Sequence, residues 1–492
     1  MSQYRQAEYS ELNYPEDILS IIRNGLRRGS VPKSVLIIGA GISGLVAASL
    51  LKQAGHKVTI IEGNNRIGGR IYTVREPFSK GYYLDMGAMR IPNTHVLAFE
   101  YIRRFKLKTA KFINTSPRDV FFVNNVITSR AYYEENPDVL AFPVAEWEKG
   151  KTATELFLSA VKPFIDKYQN STDEQKEAMK KEYARYSMGE FLRFNPIGRP
   201  LSLNAIRKIN VLLGIEGFPE FSFVDILTDI IYPIFNEETK FFEIVGGNDR
   251  LPLSFLPELR WNIFLNQKVE RIIQDQSGVT LQTRNPTNGE FTNFHGDIAI
   301  VTVPFPVFQF IDVVPYHSIS FKKWQAIGEL MLLPAVKVGI EFKNRFWENF
   351  GIGNIISDKP TRFTYTPSHN KGSSGPAILL ASYSWAANAL LWNSLSEEDI
   401  IRYVLKDLSK VYGNVVYREY IRGVSFNWSR NPFSAGCFTL FTPNQETDIA
   451  DFIRQPEGKL HFAGEHTSNF HGWIEGGIES GVRAAFEVNH RK

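Results

Sequence analysis

A buried strand that runs into a glycine-rich turn constrains this 492-residue chain more than any other feature. Residues 35–44 read Val-Leu-Ile-Ile-Gly-Ala-Gly-Ile-Ser-Gly, and a mostly apolar stretch follows them. Gly39 permits a tight turn, Gly41 lets the backbone approach a pyrophosphate, and Gly44 lets the following helix pack close to the sheet. The pattern predicts a β-α-β unit that binds a dinucleotide.

The phosphate and ribose contacts of this unit can be placed on named residues. The backbone N–H groups of Ile42 and Ser43 begin the helix, and together with the helix dipole they favour phosphate charge. The next strand, residues 57–62, ends on Glu62. Its carboxylate can accept hydrogen bonds from ribose hydroxyls, which argues against a 2′-phosphate. A tight turn in an ordinary α/β domain is the alternative.

A second glycine pair follows directly and favours FAD over NAD. Residues 66–70 read Arg-Ile-Gly-Gly-Arg. Glycines here allow the backbone to approach the cofactor closely, and we expect Gly63 and Gly69 to contact it. Arg70 can neutralise the charge of the pyrophosphate. A nicotinamide domain has no need for this second contact, so the sequence predicts FAD.

Composition limits the remaining possibilities. The length is typical of two or three packed domains, and 43% apolar residues can build a large core. The net charge of +4 is too small to indicate nucleic-acid binding. Cys437 is the only cysteine, so no intramolecular disulfide forms. No export signal and no apolar run long enough to span a membrane is recognisable, and we expect a cytoplasmic protein without membrane contact.

Motifs spread along the chain resemble those of the flavin-containing amine oxidase superfamily, and within it the FAD-dependent L-amino-acid oxidases most closely. The matching segments are 39–70, 87–90, 245–252, Lys337 and 462–483. The resemblance implies an α/β fold: a discontinuous Rossmann-type FAD-binding domain, a mixed-sheet substrate domain and a helical insertion. The expected boundaries are 34–72, 245–325 and 455–492 for the FAD-binding domain, 73–130, 235–244 and 326–454 for the substrate-binding domain, and 1–33 and 131–234 for the helical domain.

The resemblance also extends the cofactor site. Val269 matches the family's adenine-contacting backbone position, and Glu465 matches its ribityl or phosphate contact. Residues 472–477 would run past the pyrimidine end of the flavin and lead into the last helix, after Gly477, whose positive end would lie there. The family's covalent cysteine has no counterpart, so the flavin is expected to be non-covalent. The other implied cofactor contacts are Gly87, Ala88, Met89, Arg90, Gly472, Trp473, Ile474, Glu475, Gly476 and Gly477.

Three residues are implied as ligands of an amino-acid substrate. In L-amino-acid oxidases the arginine of the Gly-x-Met-Arg motif grips the substrate carboxylate, which points to Arg90. A guanidinium offers two parallel donors and stays charged at working pH. Pairing with an internal acid such as Asp85 is the alternative. Tyr383 matches the second carboxylate ligand, unless its hydroxyl lies at the surface. Gly472 would offer its carbonyl to the substrate amine.

Two rings and a lysine complete the implied site. Phe438 and Trp473 stand where amine oxidases set facing aromatic rings, which hold the α-carbon and exclude water; either ring alone could be core. The family's lysine at Lys337 holds a water near the flavin and assists reoxidation by oxygen. A solvent-facing strand lysine is the alternative. His466 and His471 lack the spacing and cysteine partners of metal ligands, so no metal is expected.

The implied reaction is oxidative deamination of an L-amino acid to a 2-oxo acid, ammonia and hydrogen peroxide. Its partners are the amino acid and molecular oxygen, with a homodimer expected only because the family commonly forms one. Some L-amino-acid oxidases have an active-site histidine in the region that matches 226–233, where this chain has none. The alternatives are a monoamine or polyamine oxidase, an amino-acid 2-monooxygenase, and a non-catalytic flavoprotein.

Overall fold

A five-stranded parallel sheet forms the centre of the first of two large structural units. The structure is a computed structural model that describes residues 12–28, 31–215, 218–227 and 238–491. Neighbouring strands of the sheet pair in parallel, as expected for a Rossmann-type unit. The strands come from widely separated parts of the chain, which confirms a discontinuous α/β domain. Their order is Ile263–Phe264, Lys57–Ile61, Ser34–Ile38, Ile298–Val301 and Leu460–Phe462.

A four-stranded sheet lies next in the chain. The sequence predicts a strand pair at 269–273 and 279–283, and the structure has Lys268–Gln274 paired antiparallel with Val279–Arg284. Phe291–Gly296 extends this sheet on one side and Asp312–Val314 on the other.

The second large sheet is mixed, as predicted for the substrate side. Its order is Tyr420–Asn427, Ala335–Phe342, Ala377–Trp385, Phe363–Tyr365, Ile355–Ser357, Val120–Val123 and Val126–Ser129. Only the pairing of Ile355–Ser357 with Val120–Val123 is parallel among the pairings described within it. Smaller sheets join Ile91–Pro92 and Thr109–Phe112 to Phe241–Ile244, Met331–Leu332 to Thr439–Leu440, and Thr73–Val74 to Leu84–Asp85.

Helices fill the space around these sheets. The described α-helices are Glu16–Asn24, Ile42–Gln53, Val96–Arg104, Arg130–Glu135, Ala153–Gln169, Asp173–Tyr183, Met188–Phe194, Leu203–Leu213, Phe223–Asp225, Arg250–Leu253, Leu256–Leu259, Phe305–Phe308, Phe321–Glu329, Phe346–Asn349, Ala386–Leu390, Glu397–Tyr412, Val415–Glu419, Gln445–Asp448, Ala450–Arg454 and Ile474–His490. Among these helices none is long and apolar enough to cross a membrane.

The helical insertion is helical as predicted, but its capping box lies at a different position. The sequence predicts a capping box over residues 171–174. In the structure Thr172 caps the helix, and it exchanges hydrogen bonds with Gln175. The box is therefore one residue later, because Asp173 rather than Thr172 is the first helical residue.

Two helix ends test the sequence interpretation. The helix predicted from Ser396 to Gly413 is confirmed, with Ser396 as its N-cap and Gly413 as its C-cap. The last helix was expected after Gly477 but begins at Ile474. Gly477 lies inside that helix, where an added Cβ would come within 2.6 Å of Ile42. This glycine serves close packing of two helices rather than the helix start.

The N-terminal helix, Glu16–Asn24, lies apart from the helical insertion. Its buried Ile18 and Ile22 join the core around the parallel sheet, and it packs against the helices Val96–Arg104 and Ile474–His490. Placing residues 1–33 in the helical domain does not match this packing. The other domain boundaries stay a prediction.

Candidate active site

A cavity of about 840 Å³ runs from the carboxyl ends of the parallel strands to the helical insertion. It brings together most of the residues predicted from the sequence. The predicted residues that line it are Gly39, Gly41, Ile42, Ser43, Glu62, Gly63, Gly69, Arg70, Gly87, Ala88, Met89, Arg90, Val269, Lys337, Tyr383, Phe438, Glu465, Gly472, Trp473, Ile474 and Gly477. Gly44, Glu475 and Gly476 are not among the lining residues.

At the nucleotide end, the first glycines have different surroundings. Gly39 has φ +109°, a conformation that favours glycine. No atom lies within 4 Å of a Cβ built on Gly41, which opens on the cavity. A Cβ on Gly44 would lie 2.1 Å from the carbonyl oxygen of Gly39. The absence of a side chain at Gly44 therefore lets the helix pack against the turn, whereas the absence of one at Gly41 leaves room for a ligand.

Glu62 is held in place by the backbone. Its carboxylate accepts the N–H of Ala40 at 2.7 Å and that of Asn64 at 2.8 Å. Burial raises its pKa, although these donors and Arg66 oppose the shift. A buried acid at the end of the second strand is the arrangement that a ribose ligand requires.

Arg70 and Glu465 form an ion pair at the middle of the cavity. Arg70 Nη1 lies 2.7 Å from Glu465 Oε2, while Glu465 Oε1 accepts the backbone N–H groups of Thr439 and Gly472 at 2.8 Å. Burial opposes ionisation of Glu465, but Arg70, His471 and the two N–H donors outweigh it and lower the pKa of the carboxyl. The pair links three separate segments at the cavity wall.

Two predicted cofactor contacts, Glu475 and Gly476, are not among the residues that line the cavity. The carboxylate of Glu475 accepts the N–H groups of Leu97 and Ala98 at 2.9 Å, and the hydroxyl of Tyr14 at 2.8 Å. Burial raises its pKa to about 7. The side chain therefore caps the helix Val96–Arg104 and points away from the cavity. A Cβ on Gly476 would meet Ser468 at 2.2 Å, so this glycine serves packing.

These features together fit FAD. The cavity offers a helix start without a Cβ at Gly41, a buried acid at Glu62 and the guanidinium of Arg70. A second helix start, at Ile474, reaches the same cavity further along. Each group suits one part of a dinucleotide: phosphate, ribose hydroxyls, pyrophosphate and an electron-rich ring.

At the other end of the cavity Arg90 has no acidic partner. Its Nη1 donates to the side-chain oxygen of Asn114, and the guanidinium lies 5.3 Å from the ring centre of Phe241. No carboxylate of the described residues lies within ion-pair distance of it. Asp85 binds Thr73 and the N–H of Asn248 instead. The alternative Arg90–Asp85 pair is therefore absent from the described part of the chain.

Lys337 is buried beside the same region, with only 1% of its surface exposed. Its Nζ donates to the carbonyls of Asp85 at 3.1 Å and Gly87 at 2.6 Å, and lies 4.5 Å from the ring centre of Tyr383. Burial lowers its pKa to about 7. The alternative of a solvent-facing strand lysine is wrong.

Aromatic side chains line the substrate end. Tyr383 pairs in register with Lys337 on the neighbouring strand, and its ring packs 4.4 Å from Trp385. Burial raises the pKa of Tyr383, which is not a surface tyrosine. Phe438 packs near Phe218, with ring centres 6.3 Å apart. Trp473 meets the edge of His95 at 4.9 Å. Both predicted wall residues therefore border the cavity.

Several lining residues were not found from the sequence. Asn114, Phe241, Tyr365 and Trp385 border the substrate end. None of them belongs to a recognisable motif, and only the fold brings Asn114, Phe241 and Tyr365 to Arg90 and Trp385 to Tyr383. In the region 226–233, residues 228–233 lie outside the described residues, so the absence of a histidine there stays a sequence observation.

His466, His471 and Cys437 have structural contacts. His471 Nδ1 lies 3.0 Å from Asp225, and both side chains are buried. The buried ring of His466 packs against Phe305. Cys437 was expected in a strand but lies in a bend before Thr439–Leu440. Its thiol donates to the carbonyl of Leu333 at 3.1 Å, and burial raises its pKa.

A Rossmann-type sheet joined to a mixed-sheet unit, with one cavity shared between them, defines a flavoprotein oxidoreductase. The sequence match makes this class more specific. The chain belongs to the family of flavin containing amine oxidoreductases, whose family model matches residues 42–489. The family match also confirms the flavin cofactor that the sequence predicts.

Curated relatives cover almost the whole chain. The YobN protein of Bacillus subtilis (strain 168), whose L-amino-acid oxidase name is itself provisional, is 46% identical over 96% of this chain and 98% of the relative. An L-amino-acid oxidase from Siganus canaliculatus is 36% identical over 96% of this chain and 88% of the relative. The solved cyclohexylamine oxidase from Brevibacterium oxydans IH-35A has a TM-score of 0.75 at 22% identity, covering 93% of this chain and 99% of that one. This last likeness supports the fold alone.

Proposed function

We propose that this flavin amine oxidoreductase oxidises an L-amino acid to a 2-oxo acid, ammonia and hydrogen peroxide. The observation that carries the proposal is Arg90, a guanidinium in the cavity whose only hydrogen-bond partner among the described residues is the neutral amide of Asn114. A partly buried charge without a counter-ion is costly, and a substrate carboxylate would supply that counter-ion. The names of the YobN and Siganus relatives support the same substrate class.

The chain's own residues have distinct roles in this proposal. Arg90 and the hydroxyl of Tyr383 bind the carboxylate, and the carbonyl of Gly472 receives the amine. Phe438 and Trp473 limit how the α-carbon can turn and keep water out. FAD, when bound, supplies the redox chemistry by accepting two electrons and a hydrogen nucleus from the α-carbon.

Lys337 has the properties of a group that changes charge during turnover. Its lowered pKa allows it to hold or give up a proton near neutral pH, and two carbonyls fix its position. The nucleotide would be held by Gly39, Gly41, Ile42, Ser43, Glu62, Gly63, Gly69, Arg70 and Val269.

The side chain of the substrate would lie among aromatic rings. At the substrate end Phe218 is within ring-packing distance of both Trp385 and Phe438. Such a lining suits a bulky apolar side chain better than a charged one.

A peroxide-coupled screen tests the proposal. The standard L-amino acids, their D-enantiomers and the amines that lack the carboxylate, such as phenylethylamine for phenylalanine, are compared on the purified holoenzyme. We expect peroxide from L-amino acids with bulky apolar side chains, and little from the amines or D-enantiomers. Faster oxidation of the amines would instead indicate a monoamine or polyamine oxidase. An amide product rather than a 2-oxo acid would indicate a monooxygenase.

A further inference from the structure

A second, small cavity lies directly behind the wall of the substrate site. Its volume is about 40 Å³, and Asp85, Glu243 and His369 are among its lining residues; we call it the inner chamber. Met89 and Tyr365 line both the inner chamber and the large cavity. A chamber of this size holds about one to three water molecules.

The acids of the inner chamber are buried and incompletely bonded. Asp85 is 7% and Glu243 6% exposed. Asp85 Oδ1 accepts hydrogen bonds from Thr73 and Asn248, and Glu243 Oε1 meets His369 Nδ1 at 3.1 Å. The second oxygen of each carboxylate has no partner among the described residues. Each acid therefore has one carboxylate oxygen without a partner among the described residues, and both acids line one chamber.

The chamber is linked to the reaction cavity at one end and to solvent at the other. Lys337, which lines the large cavity, donates to the backbone carbonyl of Asp85 at 3.1 Å. His369 keeps 21% of its side chain exposed and stacks on Tyr83, with ring centres 4.7 Å apart. Lys337 therefore contacts the backbone of one chamber acid, Asp85 and Glu243 share the chamber, and Glu243 contacts the partly exposed His369.

Charge around this row favours movement of a proton along it. Burial raises the pKa of Asp85 and lowers that of Lys337, and each is the largest opposite charge that acts on the other. Burial thus favours the neutral form of both groups, and each charged group stabilises the charge of the other. Asp85 also interacts electrostatically with Glu243, Arg75 and Tyr83. Lys337 interacts in the same way with Arg90 and Cys437.

We propose that the inner chamber is a proton relay between the active site and bulk water, through Lys337, Asp85, Glu243 and His369. The relay rests on the proposed function for its proton balance. Converting an α-ammonium acid to its iminium removes a hydride equivalent from carbon, which the flavin takes, and one proton from nitrogen. The N–H bond of the substrate ammonium breaks as its proton transfers to the neutral amine of Lys337. The proton then leaves through the inner chamber. Reduction of oxygen to hydrogen peroxide later requires one proton to return.

Proton release during flavin reduction tests the relay. The holoenzyme is mixed without oxygen with L-phenylalanine in weakly buffered indicator dye, and flavin bleaching and proton release are followed together. In the wild type we expect one proton in bulk water at the rate of bleaching. His369→Gln and Glu243→Gln keep shape and hydrogen bonding but not titration, and should slow release about tenfold or more. Added imidazole should restore release in His369→Gln.

A matched control and a substrate-free arm make the test decisive. Ile378→Val changes an apolar residue of the same chamber and should release protons as the wild type does. Proton uptake is also measured when photoreduced holoenzyme meets oxygen, which needs no amino acid, and the two Gln variants should be slow there too. Melting temperature and flavin absorbance confirm that each variant is folded and loaded.

The outcomes separate the relay from the proposed function. If L-amino acids bleach the flavin but both Gln variants exchange protons at the wild-type rate, the relay is wrong and the proposed function stands. If no amino acid bleaches the flavin, the proposed function fails, and the oxygen arm alone decides the relay. Slow exchange that imidazole does not restore in His369→Gln would also overturn the relay, because it would indicate a structural defect.

Discussion

The two ends of the large cavity differ in whether their charged side chains have partners. At the nucleotide end Arg70 is paired with Glu465, and Glu62 accepts two backbone N–H groups. At the substrate end Arg90 meets, among the described residues, the amide of Asn114 and aromatic rings but no carboxylate. Paired charges fix the position of a wall, whereas an unpaired guanidinium keeps donors free for an anion. In the proposed function, this difference corresponds to cofactor holding at one end and substrate selection at the other.

Removing the unpaired charge should have the largest effect. Arg90→Ala is expected to raise KM for L-amino acids about 30-fold or more, because truncating one partner of a buried charge pair costs about 2–5 kcal/mol. Arg402→Ala removes an exposed guanidinium paired with Asp399 and should leave KM unchanged. Steady-state kinetics on an L-amino acid and its matched amine measure the effect. A loss shared equally by both substrates would contradict the role of Arg90.

Lys337 lies between the two ends and should govern the reaction with oxygen. Lys337→Met is expected to slow flavin reoxidation about 100-fold, within the range for a positioned acid or base. Because burial lowers the lysine pKa to about 7, its ammonium is present below that pH and lost above it. The wild-type rate should therefore fall as pH rises through 7, and the variant should show no such fall. Stopped-flow mixing with oxygen at several pH values measures this, and an unchanged pH profile in Lys337→Met would contradict it.

Substitution of two glycines at the nucleotide end should affect folding in one case and cofactor binding in the other. Gly44→Ala places a Cβ against backbone, and overpacking of this kind costs about 1–3 kcal/mol. It should lower the melting temperature of the apoprotein. Gly41→Ala meets no protein atom, so the apoprotein should melt normally while FAD affinity falls. Calorimetry with and without FAD distinguishes them. Equal melting temperatures for the two apoproteins would contradict this difference.

The smallest expected effect comes from the neutral partner of Arg90. Asn114→Ala removes one hydrogen bond of about 1 kcal/mol and should raise KM for L-amino acids about fivefold, with the flavin spectrum unchanged. Asn288→Ala, in an exposed loop, is the control. If KM rose as far as in Arg90→Ala, Asn114 would be a direct ligand rather than a residue that positions the guanidinium.

The sequence predicted the nucleotide end better than the substrate end. Gly39, Gly41 and Glu62 are close in sequence, and their spacing alone determines where a strand, a turn and a helix must meet. Arg90 and Lys337 needed a family resemblance, since a single charged residue in an apolar segment does not reveal what it faces.

The residues that the sequence did not predict depend on long-range pairing. Glu475 looked like a cofactor contact because it follows Trp473, yet it caps a helix that begins at Val96. Asn114 and Glu243 reach their sites through strand pairing and loop packing that no local pattern shows. The contacts of Glu475 and Glu243 join segments more than a hundred residues apart, and periodicity carries no information about them.

The binding of a carboxylate that cannot be oxidised tests the central claim most directly. The dissociation constant of 3-phenylpropanoate, and of the matched alcohol 3-phenylpropanol, is measured from the flavin difference spectrum of wild-type and Arg90→Gln holoenzyme. We predict that the variant weakens binding of the acid by more than about tenfold and leaves the alcohol unaffected. Equal affinity of both proteins for the acid would contradict a guanidinium reserved for the substrate carboxylate.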